Sequence, residues 1–357
     1  MLLRALTLRN FRNIADARLE FSGPRQFFLG PNGQGKTNVL EAAGCFTALR
    51  SFRTAESNAM IRHGAAEAAV VGELEQERRG AVRVALAFRS GGKALWWDQE
   101  RVVRLADHLG QFPTVAFSAQ DLLLVRGAPS VRRRWLDLTL SAMDGIYLRS
   151  LQGYTRALAE RNRLLKSGKG DAAEFSAFEQ VLAEHAVDLR TRRAAGVPEL
   201  ARSLAGAYGR LGGASEGAAL TYAPDTENVT AEDWRAAWER GRPVDQRLGL
   251  TLKGPHRDEL EFTVGGTSAK DFASEGQQRS FVLALRLAQA AWFQDRSGIR
   301  PVVLADDVLG ELDPVRRREF WASLDPAAQV LATGTSAPDP ILGAWQIFRV
   351  AGGSFAQ

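Results

Sequence analysis

The segment Gly30-Pro31-Asn32-Gly33-Gln34-Gly35-Lys36-Thr37 fits the spacing G-x-x-x-x-G-K-[ST] of a loop that wraps a phosphate chain. Its glycines let the backbone turn tightly, so that N–H groups converge on a β-phosphate. The N-terminus of the helix that follows adds positive potential. In such a loop Lys36 reaches the β- and γ-phosphates, and the Thr37 hydroxyl is a ligand for Mg²⁺. The metal needs a carboxylate partner, which Pro301-Val302-Val303-Leu304-Ala305-Asp306-Asp307 supplies as an apolar strand ending in two acids. Asp306 is expected to hold Mg²⁺ through its hydration shell, and Asp307 to orient or deprotonate the attacking water. Adjacent strand residues point to opposite faces, so the two acids have different surroundings. The chemistry is the binding and hydrolysis of a nucleoside triphosphate.

A third constellation, Ser274-Glu275-Gly276-Gln277-Gln278-Arg279, opens a helix whose Phe281, Leu285, Ala288 and Trp292 share one face. A serine and a glycine at a helix N-terminus make an anion site from free N–H groups, a hydroxyl and the dipole, although the same residues serve for ordinary capping. The Asp306 strand follows about thirty residues later, and Glu311-Leu312-Asp313 comes after it. This order resembles the signature motif, acidic strand and D-loop of ABC-type ATPases. In that family the signature closes over the γ-phosphate held by a partner subunit. The resemblance therefore implies ATP as cofactor and a head-to-tail homodimer formed in the presence of ATP. It places Ser274, Gly276, Gln277 and Asp313 beside the partner's nucleotide, with slow hydrolysis acting as a switch. No N-K-x-D guanine motif occurs, and a nucleotide kinase has no need of the late signature.

These residues need an α/β frame. Leu3 to Phe21 reads as two strands, Phe27-Phe28-Leu29 as a third, and a helical pattern starts at Lys36. Alternation from Ala68 to Val103 reads as a meander. From Asp121 the pattern turns helical, over Val131–Lys166 and Ala173–Leu211, with breaks at Gly168-Lys169-Gly170 and Gly212-Gly213. Strand-like runs return from Leu248 as TLKG, ELEFTV, PVVLADD, QVLATG and WQIFRV. The expected fold is an ABC-type P-loop ATPase head with a β-rich N-terminal part and a short inserted helical lobe. Its expected division is 1–120 and 246–357 for the core and 121–245 for the lobe.

Composition agrees. Of 357 residues 45% are hydrophobic and 24% charged, ample for a core. Cys45 is the single cysteine, which excludes an internal disulfide and a multi-cysteine metal site, and His63, His108, His185 and His256 lack ligand spacing. No run of eighteen apolar residues appears, and the arginines of MLLRALTLRNFRN do not suit a signal peptide. A cytoplasmic location without membrane contact is expected. The net charge of +5, carried by 40 arginines against 6 lysines, favours a polyanionic partner, nucleic acid first.

Lys36 and Gly276 are 240 positions apart, far more than in a transporter's nucleotide-binding subunit, and the inserted region lacks the sustained heptads of a chromosome-structure ATPase with a long coiled-coil arm. The remaining reading is a compact relative, and here the resemblance is specific. Leu8-Arg9-Asn10-Phe11-Arg12-Asn13, GPNGQGKTNVLEA from Gly30, Ser51-Phe52-Arg53-Thr54, Gly127-Ala128-Pro129-Ser130, Arg132-Arg133-Arg134-Trp135-Leu136-Asp137, Arg161 to Lys166, Gly254-Pro255-His256-Arg257-Asp258, SEGQQRS and DDVLGELD run in the order found in the RecF family. The resemblance implies an ATP-dependent DNA-binding protein acting at double-stranded or gapped DNA in recombinational repair. Its implied partners are RecR- and RecO-like mediators and a RecA-like recombinase, on the bacterial nucleoid when active. It adds Arg12 and Asn38 to the nucleotide-binding set and makes Gln120 of FSAQD the candidate Mg²⁺-sensing glutamine. Three positions depart from the family pattern: Glu275 stands where glutamine is expected, Gly310 where serine is common, and Thr335 near the place of a switch histidine. Arg132 to Arg134 cannot all face one phosphate track, because three consecutive helical residues spread over nearly a full turn. Gly254 to Asp258 is either a structural turn or part of the nucleotide site. A rival reading is a scaffold in which ATP gates protein–protein assembly without direct DNA binding.

Overall fold

The computed structural model describes residues 1–54, 56–168, 170–213, 216–308 and 314–357. Among these, the strands gather into three sheets. The first is antiparallel: β1 (Leu2–Phe11), β2 (Ile14–Glu20), β4 (Glu67–Gln76), β5 (Gly80–Arg89), β6 (Gly92–Trp97) and β7 (Glu100–Arg101), in the order β2-β1-β4-β5-β6-β7. The second holds β3 (Arg25–Leu29), β8 (Thr114–Ser118), β12 (Val302–Asp306), β13 (Val330–Gly334), β14 (Gln346–Ala351) and β15 (Ser354–Ala356), in the order β15-β14-β3-β13-β12-β8. Every pairing in it is parallel except β14 with β15.

Both faces of this second sheet are covered, which explains its near-continuous apolar strands. Along β12, Val303 and Ala305 join the larger core cluster while Val302 and Leu304 join the other. Phe27 and Phe28 of β3 divide in the same way. Helix α1 (Lys36–Ala48) buries Val39, Leu40 and Phe46 between the two six-stranded sheets. On the opposite face lies α7 (Glu275–Ser297), whose Phe281, Leu285, Ala288 and Trp292 are all buried.

The helical lobe contains α2 (Leu122–Arg126), α3 (Pro129–Met143), α4 (Gly145–Ser167), α5 (Ala172–Tyr208) and α6 (Ala231–Leu248). The single stretch expected over Val131–Lys166 is two helices, because Asp144 accepts from the N–H groups of Ile146 at 2.9 Å and Tyr147 at 3.0 Å and starts a new helix. Pro198 sits inside α5 without ending it. TLKG forms no strand. Thr251 is instead pinned by Asn162, which accepts from its N–H at 2.8 Å, and by buried Arg161, which donates to its hydroxyl at 2.7 Å. Strand β9 (Ala218–Ala223) pairs with β10 (Glu259–Val264), which turns into β11 (Thr267–Ser268), so this third sheet spans both sides of residue 245. The last helix, α8 (Pro314–Ser323), follows Asp313, which lies outside the described residues together with Gly310.

Gly254 to Asp258 belongs to a buried clamp. Arg193 of α5 donates to Pro255 O at 2.6 Å, to Asp258 Oδ2 at 2.8 Å and to Asp137 Oδ1 of α3 at 2.8 Å. Tyr147 of α4 donates to Asp137, and Tyr222 of β9 to Asp258. One guanidinium thus joins three helices to the third sheet. Removing one member of a buried ion pair strands the other charges, at a cost of about 3–5 kcal/mol. Arg193→Ala is therefore expected to lower unfolding free energy by that amount in a denaturant titration. A loss under about 1 kcal/mol would show that the clamp is not structural.

Candidate functional site

Parallel strands that enter from one side must end on one edge, and ligands of open α/β sheets bind beyond the carboxyl ends of the strands. Here that edge gathers residues from remote parts of the chain. The phosphate loop follows β3, Asp306 ends β12, Thr333 and Gly334 end β13, and Ser118 ends β8 directly opposite Asp306. Gln120 lies two residues past Ser118, exposed, at the neighbouring end of the same edge.

The loop backbone is held from outside. Gly33 and Gly35 have φ of +79° and +110°, conformations that a side chain disfavours, and a Cβ on Gly30 would collide with the Val350 carbonyl of β14. Gln34 is fixed by the turn after β14: its carbonyl accepts from Gly353 N–H at 2.9 Å and its Oε1 from Gly352 N–H at 2.7 Å. Asn13 donates to Gln34 O at 3.2 Å and accepts from Asn38 Nδ2 at 2.8 Å. Lys36 is buried, and its ammonium donates to Gly30 O at 2.6 Å, Pro31 O at 3.1 Å and Asn32 Oδ1 at 3.4 Å, all within the loop.

Thr37 Oγ1 donates to Asp306 Oδ1 at 2.7 Å, and Thr333 Oγ1 donates to the same oxygen at 3.0 Å. Thr333 Oγ1 also accepts from Asp307 N–H at 2.8 Å, where Asp307 adopts φ +55°. This left-handed turn sends the two acids different ways just past the strand end. Thr333 is a site residue that the sequence motifs did not reveal. Its signal was positional: the strand between β3 and β12 has to end between the phosphate loop and the acids. Thr335, two residues on, is exposed in the loop after β13.

Burial lifts the Asp306 carboxyl above the usual aspartate range; the hydroxyls of Thr37 and Thr333 oppose the lift and the charge of Asp307 adds to it. A divalent cation beside Asp306 and Thr37 would relieve that strain, so the donor set fits Mg²⁺. Among the described residues no cluster of three or more His, Cys, Asp or Glu side chains forms a metal cage. Such an ion would draw its other ligands from phosphate and water, as Mg²⁺ commonly does.

Arg12 reaches the first turns of α1. It forms a two-pronged pair with Glu41 of α1, at 2.9 and 2.5 Å, and donates to Ala59 O at 2.6 Å. Glu41 is fully buried and also accepts from Ser51 and, at 3.2 Å, from Arg53, which bonds Asn38 Oδ1 at 3.0 Å. Arg12, Glu41 and Arg53 thus brace the first turns of α1 behind the phosphate loop.

Ser274 caps α7. Its hydroxyl accepts from Gln277 N–H at 3.2 Å and Gln277 Oε1 accepts from Ser274 N–H at 2.6 Å, a reciprocal capping box. Ser274 is exposed, and the N–H groups of Glu275 and Gly276 have no protein acceptor among the described residues. A Cβ on Gly276 would press on the Arg316 guanidinium of α8, which would have to shift aside. Gln278 anchors the preceding loop by donating to Ala269 O at 3.1 Å and Ala273 O at 3.2 Å while accepting from Arg126 at 2.7 Å. Glu275 turns back along the helix to Arg279 at 2.9 Å and lies 3.8 Å from Arg126. The Arg279 hydrogen bond, with the charges of both arginines, holds its carboxyl below the usual range. Its charge is thereby compensated rather than aimed at an anion.

Comparison with known proteins accords with this geometry. Residues 2–337 match the family described as RecF/RecN/SMC N terminal domain. The chain is 36% identical to the DNA replication and repair protein RecF of a Synechocystis species, over 94% of this chain and 92% of the relative, and 37% identical to that of a Synechococcus species, over 94% and 91%. It superposes on the recombination mediator protein RecF-ATPrS with TM-score 0.90 at 25% identity, over 99% of this chain and 97% of that one. For RecF-ATP the TM-score is 0.89 at 26% identity, over 99% and 96%. An SMC head bound to the C-terminal winged-helix domain of ScpA shares the fold at 16% identity and TM-score 0.54, over 98% and 94%.

A carboxyl whose pKa is higher folded than unfolded costs stability as pH rises past its unfolded value, and the cost levels off above its folded value. Asp306→Asn keeps an acceptor for Thr37 and Thr333 and removes that cost. Without ligand at neutral pH the variant is expected to melt no lower than the parent and up to about 2 °C higher. The gap should close toward pH values below about 3.9. A melting point several degrees lower at neutral pH would refute the assignment of strain to Asp306.

Proposed function

The chain belongs to the RecF family of ABC-type ATPases, and from that premise we propose an ATP-gated, DNA-binding recombination mediator that hydrolyses ATP slowly as a switch. The observation that carries this reading is the pairing of two half-sites on one chain. One is the phosphate loop with its Thr37–Asp306–Thr333 cluster. The other is the exposed tip of α7, with the Ser274 hydroxyl and the open N–H groups of Glu275 and Gly276. Described contacts of Ser274 stay within α7, so its anion-binding capacity is free for a second copy.

In this reading the backbone of Gly30 to Thr37 cradles the β-phosphate of ATP. Lys36 exchanges carbonyl acceptors for β- and γ-phosphate oxygens, which are charged and therefore stronger. Thr37, Asp306 and Gln120 are the proposed Mg²⁺ residues, the ion supplying charge neutralisation to the phosphates when bound. Asp307 orients and accepts a proton from the attacking water, its backbone fixed by Thr333. Asn38 supports the loop through Asn13, and Arg12 acts through Glu41. Ser274, Gly276 and Gln277 of the second copy close over the γ-phosphate. ATP is then the glue of a homodimer that loosens when the γ-phosphate leaves. The working division keeps 1–120 and 246–357 as core and 121–245 as lobe, with the β10–β11 hairpin serving the lobe.

The proposed substrate surface is double-stranded or gapped DNA, contacted mainly at phosphates and weakened by salt. RecR- and RecO-like mediators and a RecA-like recombinase are the proposed partners, in the bacterial cytoplasm on the nucleoid. No helix among the described residues is long and apolar enough to cross a membrane.

Sedimentation with ATP, ADP and duplex DNA tests the scheme. Lys36→Met is expected to stay monomeric because it no longer binds ATP. Asp307→Asn should bind ATP, dimerise and persist, with turnover lowered by about 10²-fold or more. Ser274→Arg should bind ATP yet remain monomeric; a parental dimer yield in that variant sinks the assignment in trans. A dimer that forms with ATP but shows no salt-sensitive DNA affinity would favour the scaffold.

A further inference from the structure

The lobe and the core leave a basic groove between them. Its larger part, a cleft of about 910 Å³, is lined by Arg50, Lys93, Arg133, Arg134 and Arg156, with Asp137 its only carboxylate among the described lining residues. Its smaller part, about 540 Å³, shares Arg50, Ser130, Arg134 and Leu138 with the first and continues to Arg53 and Gln120 beside the phosphate-loop helix. The groove therefore runs from the nucleotide edge of the core to α4.

Its cations have few partners. Asp137 is already engaged by Arg193 at 2.8 Å and by Tyr147. In the smaller part the one carboxylate among the described lining residues is Asp121, which Arg286 holds at 2.6 Å. The side chains of Arg50 and Arg134 make no hydrogen bond or ion pair among the described residues, and that of Arg156 reaches the Gln152 carbonyl at 3.3 Å. Lys93 donates to Leu49 O at 2.7 Å and Arg133 to Asp258 O at 2.8 Å, both neutral acceptors. Burial, and then the neighbouring charge of Arg134, depresses the Arg50 guanidinium below its ordinary value; Lys93 is depressed by burial and then by Arg50. Asp137 offsets this only in part, so the cations lining the groove outnumber its carboxylates and favour an anion.

Several cations spaced along a groove, on elements of both the core and the lobe, match a chain of phosphates better than one compact anion. Arginine's planar fork also suits phosphate oxygens. We propose that this groove seats one sugar-phosphate strand of the DNA, with Arg50, Arg134 and Arg156 each contacting a backbone phosphate. The arginine triplet divides accordingly: Arg132 is tied to Glu259 at 2.9 Å, Arg133 to the clamp, and Arg134 faces the groove.

The inference rests on the DNA-binding reading, and the test separates the two. Duplex affinity is measured against salt for the ATP-loaded parent, for Arg50→Ala/Arg134→Ala/Arg156→Ala and for the matching arginine-to-lysine triple. A control triple removes Arg62, Arg101 and Arg104, exposed arginines outside both clefts. Each lost phosphate contact lowers the log–log salt slope by about 0.9, so the alanine triple should lose about 2 to 3 in slope, while the lysine triple keeps most of it and the control stays near the parent. An alanine triple with the parental slope, or a control that loses as much, overturns the groove assignment while leaving DNA binding intact. A parent that holds no duplex at low salt overturns the DNA-binding reading itself, and the groove with it.

Discussion

One hydrogen bond closes the molecule: Thr37 to Asp306, across 269 residues of chain. It exists because β3, β13 and β12 lie side by side and parallel, so that the phosphate loop, Thr333 and the acids emerge together. A parallel pair needs a crossover, which lets a chain insert a whole lobe between strands and still return to the same edge. The lobe of α2 to α6 occupies such a crossover, between β8 and β12. Insertion there leaves the nucleotide edge intact, and α7 brings its serine-capped tip back into the core just before β12.

The same logic explains what could be read in advance. Strands covered on both faces are runs such as PVVLAD and QVLATG, which stand out because Val303 and Ala305 face one core and Val302 and Leu304 the other. The phosphate loop and the helix tip are legible because each is local: a glycine spacing or a capping pattern fixes the geometry by itself. Thr333 and Glu41 escaped because their roles come from neighbours remote in sequence. Nothing around Thr333 marks it as a bridge between Asp306 and Asp307, and Glu41 looks like any helical acid until Arg12 and Arg53 close on it. TLKG misled for the opposite reason. Its alternation suits a strand, but Arg161 and Asn162 offer Thr251 better partners than a sheet edge would.

Arginine content divides along the same line. Many of the 40 arginines are structural. Arg161 is wholly buried between Glu179 at 3.0 Å and Asp245 at 2.7 Å, Arg193 holds the clamp, and Arg12 braces α1. Their charges are largely offset by neighbouring carboxylates. The net charge of +5 therefore understates how uneven the surface is, since cations without a carboxylate cluster in the groove between core and lobe. A basic isoelectric point says only that such cations exist, and it takes the pairing pattern to say where.

Glu275 shows how an acid at an exposed helix tip can have its charge offset locally. A carboxylate at the first turn of a helix interacts favourably with the dipole, yet a free one would repel a phosphate approaching that tip. Here Arg279 one turn along and Arg126 from α2 draw it sideways, so the dipole and the open N–H groups remain while the repulsive charge is offset. Arg126 is itself fixed by Gln278, whose amide holds the loop ahead of Ser274. The tip is therefore one hydrogen-bonded unit with the lobe, because α2 supplies Arg126. A shift of α2 would therefore change the charge beside the exposed N–H groups of the helix tip.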